Sequence, residues 1–135
     1  MIIEVAKYLS ACPHLAGRGV SVNYLDKEEA SASLEMTKKR NTVREYADGG
    51  VLKAAVFTLA LRENFGIGED ESTRIAEKCQ GIEKWIEEQN LKGNLPVLAG
   101  AELAVSVGVS KCFEIVRTDT LAARYEAEIE VIYYI

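Results

Sequence analysis

The chain has 135 residues, 48% of them hydrophobic and 27% charged, with a net charge of −5. That length and balance make one domain with a core of its own and exclude a wholly disordered chain. No apolar run approaches the ~20 residues of a membrane span, and Met1-Ile2-Ile3-Glu4 lacks the basic start and apolar stretch of a signal peptide. A sequence pI near 5.0, without a basic tract, argues against gripping nucleic acid by neutralising phosphates. The expectation is a soluble, intracellular, mildly acidic domain over residues 1–135.

Ile2, Val5, Ala6 and Leu9 recur at helical spacing and predict a short amphipathic helix over 2–11, ending before Pro13 and Gly17-Arg18-Gly19. Val20, Val22 and Tyr24 alternate in a modest strand signal over 20–25, whereas residues 26–37 are small and polar and carry no assignable pattern. Thr42–Tyr46 is rich in β-formers, and Asp48-Gly49-Gly50 supplies the positive-φ residues of a tight connection. Residues 51–61 are apolar on both alternating faces, with Val51, Ala55, Phe57, Leu59 and Leu61 on one and Leu52, Ala54, Val56 and Ala60 on the other. A helix begun by Asp48 competes there. The glycine turn and the Val-Phe-Thr centre favour a strand, and a strand with two apolar faces needs cover on both sides.

Ile75, Cys79, Ile82 and Ile86 fall in a narrow arc of a helix over 72–91, with Glu77, Lys84 and Glu88 opposite. Ser72 is placed to cap its start, the acids Glu69-Asp70-Glu71 favour its positive end, and Lys92-Gly93 provides its exit. Trp85 sits at the shoulder of the stripe, either as a core-edge residue or as an aromatic anchor for a partner chain. Leu103, Val105, Val107 and Val109 alternate as one face of a strand, with a bulge or bend suggested at Gly108 and Ser110. The strand continues over 113–117, turns at Thr118-Asp119-Thr120 and returns over 121–134. In the return, Tyr125, Ala127, Ile129, Val131 and Tyr133 share the inner face, and Arg124, Glu126, Glu128 and Glu130 a solvated outer one. The sum is an α+β domain: a mostly antiparallel sheet of four to five strands with two or more helices packed against it.

Catalytic vocabulary is thin. Cys12, Cys79 and Cys112 are widely separated and read as free thiols, Cys79 falling on the apolar stripe of its helix. His14 is the sole histidine, in a Pro/Gly-flanked turn at the end of the first helix, and Cys12-Pro13-His14 lacks the paired spacing of a zinc site. Gly66-Ile67-Gly68 is followed by Glu71 where a dinucleotide loop needs a third glycine. Glu69-Asp70-Glu71 also does not match the alternating ligands of a calcium loop. No catalytic residue, cofactor or metal ligand is expected, and the chain is not read as an enzyme.

Several stretches carry a resemblance: Tyr46-Ala47-Asp48-Gly49-Gly50, Phe57, Arg62-Glu63, Trp85-Ile86-Glu87-Glu88-Gln89-Asn90, Lys92-Gly93-Asn94-Leu95-Pro96, Ala123-Arg124-Tyr125 and Ile132-Tyr133-Tyr134. Together, over roughly residues 41–135, they resemble a family of phage and prophage minor capsid proteins. That family is similar in size and gene context to the tail terminator, or tail-to-head joining, proteins of long-tailed phages. The resemblance implies a structural virion protein that forms a ring, hexameric by analogy, on the head-proximal end of the tail tube. Such a ring stops tube growth and joins the tail to the head, with the tail tube protein and the head connector or neck protein as partners. It implies a place at the tail–head junction after assembly in the host cytoplasm, with no membrane partner. Six copies would carry about −30, so DNA passes through without being specifically bound. The expected subunit and partner interface is Trp85, Asn94, Leu95 and Pro96 with Glu69, Asp70 and Glu71, set in loops at 26–40, 66–71 and 94–98 that order on the tail. Two other readings stay open: a head-completion or neck protein, and a small cytosolic binding domain or enzyme using Cys79 or Cys112.

Overall fold

A computed structural model describes residues 1–15, 18–23, 31–64, 69–118 and 122–135, with the side chains of 37–41 and 69–72 left aside. It is an α+β fold. Helix α1 (Ile2–Leu9) and a 3-10 turn (Pro13–Leu15) lead into β1 (Ser21–Val22), β2 (Ser31–Glu45) and β3 (Val51–Asn64). Helix α2 (Glu69–Leu91), β4 (Leu103–Thr118) and β5 (Ala122–Tyr134) complete the chain. The five strands form one sheet in the order β1-β2-β3-β5-β4, antiparallel except for the short parallel β1–β2 pair.

The two central strands are the regular part. Leu52–Asn64 pairs with Tyr134–Ala122 without interruption. Both flanking strands carry inserted residues, at Met36/Arg40 and Thr42/Arg44 in β2 and at four places in β4. Each bulge bends its strand and increases its twist. The β2–β3 turn follows the sequence reading: Gly49 has φ +90°, the Tyr46 N–H donates to the Gly50 carbonyl at 2.8 Å, and the Gly50 N–H donates to Asp48 Oδ1 at 3.0 Å.

One face of the sheet makes the core. Leu34, Ala55, Phe57, Leu59, Leu61, Val107, Tyr125, Ile129, Val131 and Tyr133 meet Val5 and Leu9 of α1, Leu15, and Ile75, Cys79, Ile82 and Ile86 of α2. Fully burying each aliphatic side chain is worth about 1.5–3 kcal/mol. This explains why α1, only eight residues long, is held at all: an isolated helix of that length is marginal in water.

Five expectations are corrected. The inner-face apolar residues of β3 meet the helices, but no second layer covers its other face among the described residues. Ala54 and Ala60 are nevertheless buried, as small side chains in a central strand. Residues 31–40, expected as a loop, belong to β2, whose pairing with β3 outweighs its weak sequence pattern. The first strand is shorter than 20–25, ending at Val22 before Asn23, whose φ of +54° leaves the strand; residues 24–30 lie outside the described residues. Glu69–Glu71 form the first turn of α2, so Ser72 is inside the helix and not its cap. Leu103 and Val105 are exposed while Val107 is buried, because the bulge between Ala104 and Ser106 swaps the faces of the strand on either side of it. The Gly66-Ile67-Gly68 segment and the turn at 119–120 lie outside the described residues.

Candidate functional site

The segment most specific in the sequence folds into one corner, at the C-terminal end of α2. Gly93, with φ +73°, lets the chain reverse: its N–H donates to the Asn90 carbonyl at 3.1 Å, and the Asn94 N–H to the Gln89 carbonyl at 2.9 Å. That pair of bonds satisfies two of the orphan carbonyls of the helix end. Asn94 Nδ2 also donates to Gln89 Oε1. Asn90 turns the other way, its Oδ1 accepting the Val107 N–H of edge strand β4 at 3.0 Å. The corner is thereby tied to helix, loop and sheet.

Tyr8 of α1 completes it. Its ring lies 5.5 Å from that of Trp85, tilted by 46°, and its hydroxyl donates to the Asn94 carbonyl at 2.7 Å. Burial pushes the Tyr8 hydroxyl up to about 12, so it remains a donor at any physiological pH. Trp85 is partly buried against the core, as the core-edge reading expected, and Pro96 is buried. Glu4, Lys7, Tyr8, Asn94, Leu95 and Val97 line an open groove of about 440 Å³ over this corner. Of the expected interface residues, Asn94 and Leu95 face the groove, Trp85 supports it from beneath through Tyr8, and Pro96 anchors the loop. Glu69, Asp70 and Glu71 are in the opposite end of the 23-residue α2, about 30 Å away at 1.5 Å per residue. The structure does not bring those acids to this groove.

A second groove, of about 420 Å³, lies between α2 and β4 and is lined by Cys79, Glu83, Cys112, Phe113 and Tyr125 among others. Cys79 is buried, and burial with the nearby Glu63 charge pushes its thiol up to about 11. Cys112 is exposed, and the Glu83 carboxylate raises it as well. Both shifts run opposite to the lowered pKa that makes a cysteine nucleophilic. Among the described residues no cluster of His, Cys, Asp or Glu is arranged to hold a metal ion, and no helix is long and apolar enough to cross a membrane. His14 lies in the 3-10 turn with its ring against Gly81 of α2, where a Cβ would come within 2.5 Å of it.

The charged groups sort by face. On the core side, the buried Glu63 carboxylate is shared by Arg18 at 2.7 Å and Lys78 at 2.9 Å. On the uncovered side, Arg124 bridges Glu35 and Glu126, each at 2.6 Å. On the outer face of β5, Arg124 thus ties its own neighbour Glu126 to Glu35 of β2. Sequence reasoning missed Tyr8 and Asn90 as partners of the corner; only the reversed chain at Gly93 and the packing of α1 bring them there.

A scan against protein-family models finds no match for this chain, and a search of curated proteins finds none either.

Proposed function

We propose that this chain is a structural virion protein that forms a ring on the head-proximal end of a phage tail tube, ends tube growth and joins the tail to the head. The observation that carries the ring is where the apolar surface lies. Met36 and Val43 on the stretch of β2 that runs beyond its β1 partner, and Leu103, Val105, Ile115 and Val116 on edge strand β4, are large and exposed, while the described parts of β3 and β5 expose none. Two different apolar surfaces on one subunit suit a head-to-tail contact between copies, the kind of contact that makes a ring when its rotation closes.

The bulges of both strands oppose a continuous backbone ladder, so the contact rests on side chains. The tail as the ring's place comes from the resemblance over residues 41–135, whose partners are the tube protein and the head connector.

Cross-linking tests the ring. Val43→Cys places a thiol on β2, and native Cys112 is exposed on β4. With a short bismaleimide, head-to-tail copies give a ladder that continues past the dimer, and Val43→Cys with Cys112→Ser loses it. A ladder that stops at dimers, or a monomer at every concentration, contradicts the ring.

A further inference from the structure

Three arginines stand side by side on the face of the sheet that no helix covers. Arg62 of β3 pairs in register with Arg124 of β5, which pairs in register with Arg117 of β4. Residues paired across antiparallel strands project from the same face, and strands lie about 4.8 Å apart, so the row spans about 10 Å. Like charges set directly opposite one another destabilise a sheet. Arg124 is compensated by Glu35 and Glu126. Among the described residues neither Arg62 nor Arg117 has an ion-pair partner, and Arg62 Nε is buried with no hydrogen-bond acceptor. A buried donor left without an acceptor is destabilising. An oxyanion held by the terminal guanidinium nitrogens relieves the in-register cationic row, and a small shift of Arg62 toward it frees the orphaned N–H as well.

We propose that Arg62, Arg124 and Arg117 form a binding site for a single phosphate-type oxyanion. Guanidinium forks bind such groups through paired, charge-assisted hydrogen bonds, and the two unpaired arginines flank the paired one. The surrounding groups limit the size of the ligand. The next rows of the same face carry Glu126 and Glu114, then Glu35 and Glu128 with Lys111, which is itself bonded to Glu114 at 2.8 Å. These acids repel a polyanion laid along the strands and confine the anion to the arginine end. The inference stands apart from the ring reading and does not depend on it.

The test is a titration of the full chain with inorganic phosphate, against sodium chloride at matched ionic strength, read on the arginine Nε–Hε resonances by NMR. Saturable shifts at Arg62 and Arg117, with Arg44 unmoved, are expected. Arg117→Gln, verified as folded by far-UV circular dichroism before the titration, is expected to weaken phosphate binding about tenfold, as is Arg62→Gln. A parallel titration with a short DNA duplex separates the sources. The same shifts there assign the phosphate to a nucleic-acid backbone, and their absence assigns it to a free or terminal phosphate. Equal responses to chloride and phosphate, or unaltered phosphate binding by Arg117→Gln, overturn the site.

Discussion

Cys79 shows how burial becomes a dependence on pH. Its thiol holds its proton up to about 11 in the folded chain, against an ordinary value of 9.0. The folded state therefore binds more protons than the unfolded state between those values, and the stability this residue contributes is complete below pH 9 and lost as pH rises through 11. The expected outcome is that urea midpoints of the native chain and of Cys79→Ala converge between pH 8 and pH 11. A constant gap would refute the buried-thiol account. Glu63 is a second single residue with leverage, because its carboxylate neutralises both Arg18 and Lys78. Glu63→Gln leaves two cations facing each other. The pair is partly open to solvent, so the cost is expected at ~2–3 kcal/mol in chemical denaturation, below the ~3–5 kcal/mol of a fully buried pair. A loss under 0.5 kcal/mol would mean that solvent already screens the cluster.

At the scale of elements, the edge of β4 is closed in part by α2 through Asn90, whose side chain takes the Val107 N–H. Asn90→Ala is expected to cost about 1 kcal/mol and to speed amide exchange at Val107 well beyond that of the core amides of β3. Unchanged exchange at Val107 would remove Asn90 from that role. The elements differ in how openly their sequences declare them. The alternation of β5 is unbroken from Tyr125 to Tyr133, and its register with β3 is unbroken too, so both faces are legible. The arc of Ile75, Cys79, Ile82 and Ile86 is legible for the same reason, because a regular helix preserves its period. Bulges erase that signal. Leu103 and Val105 share a phase with Val107 in the sequence, yet an inserted residue between Ala104 and Ser106 sends them to solvent. In β2, Ser31, Ser33 and Glu35 alternate with Ala32, Leu34 and Met36, a strand period that is present in the sequence but brief and carried by small residues, and the bulges after Met36 break it. The site divides likewise: Trp85, Asn94 and Leu95 are near neighbours in sequence, whereas Tyr8 is 86 residues from Asn94 and meets it only through tertiary packing. The arginine row needs the register of three strands and has no signature in any one of them.

The whole molecule is a single curved sheet with its helices on one face, regular at its centre and bulged at both edges. That arrangement leaves exposed apolar residues on β4 and on the stretch of β2 beyond its short β1 partner, and a loop corner stiffened by Trp85, Tyr8 and Asn94. Under the ring proposal the edges join neighbouring copies, and the corner groove is left for the tube or the connector. The most direct measurement is electron microscopy of particles from a phage or prophage carrying this gene and from the same phage with the gene deleted. The account predicts filled heads lying apart from tails in the deletion, with tubes of irregular and excessive length, because an uncapped tube has nothing to stop its growth. Normal joined particles, or tails of normal length beside heads that leak DNA, would contradict it.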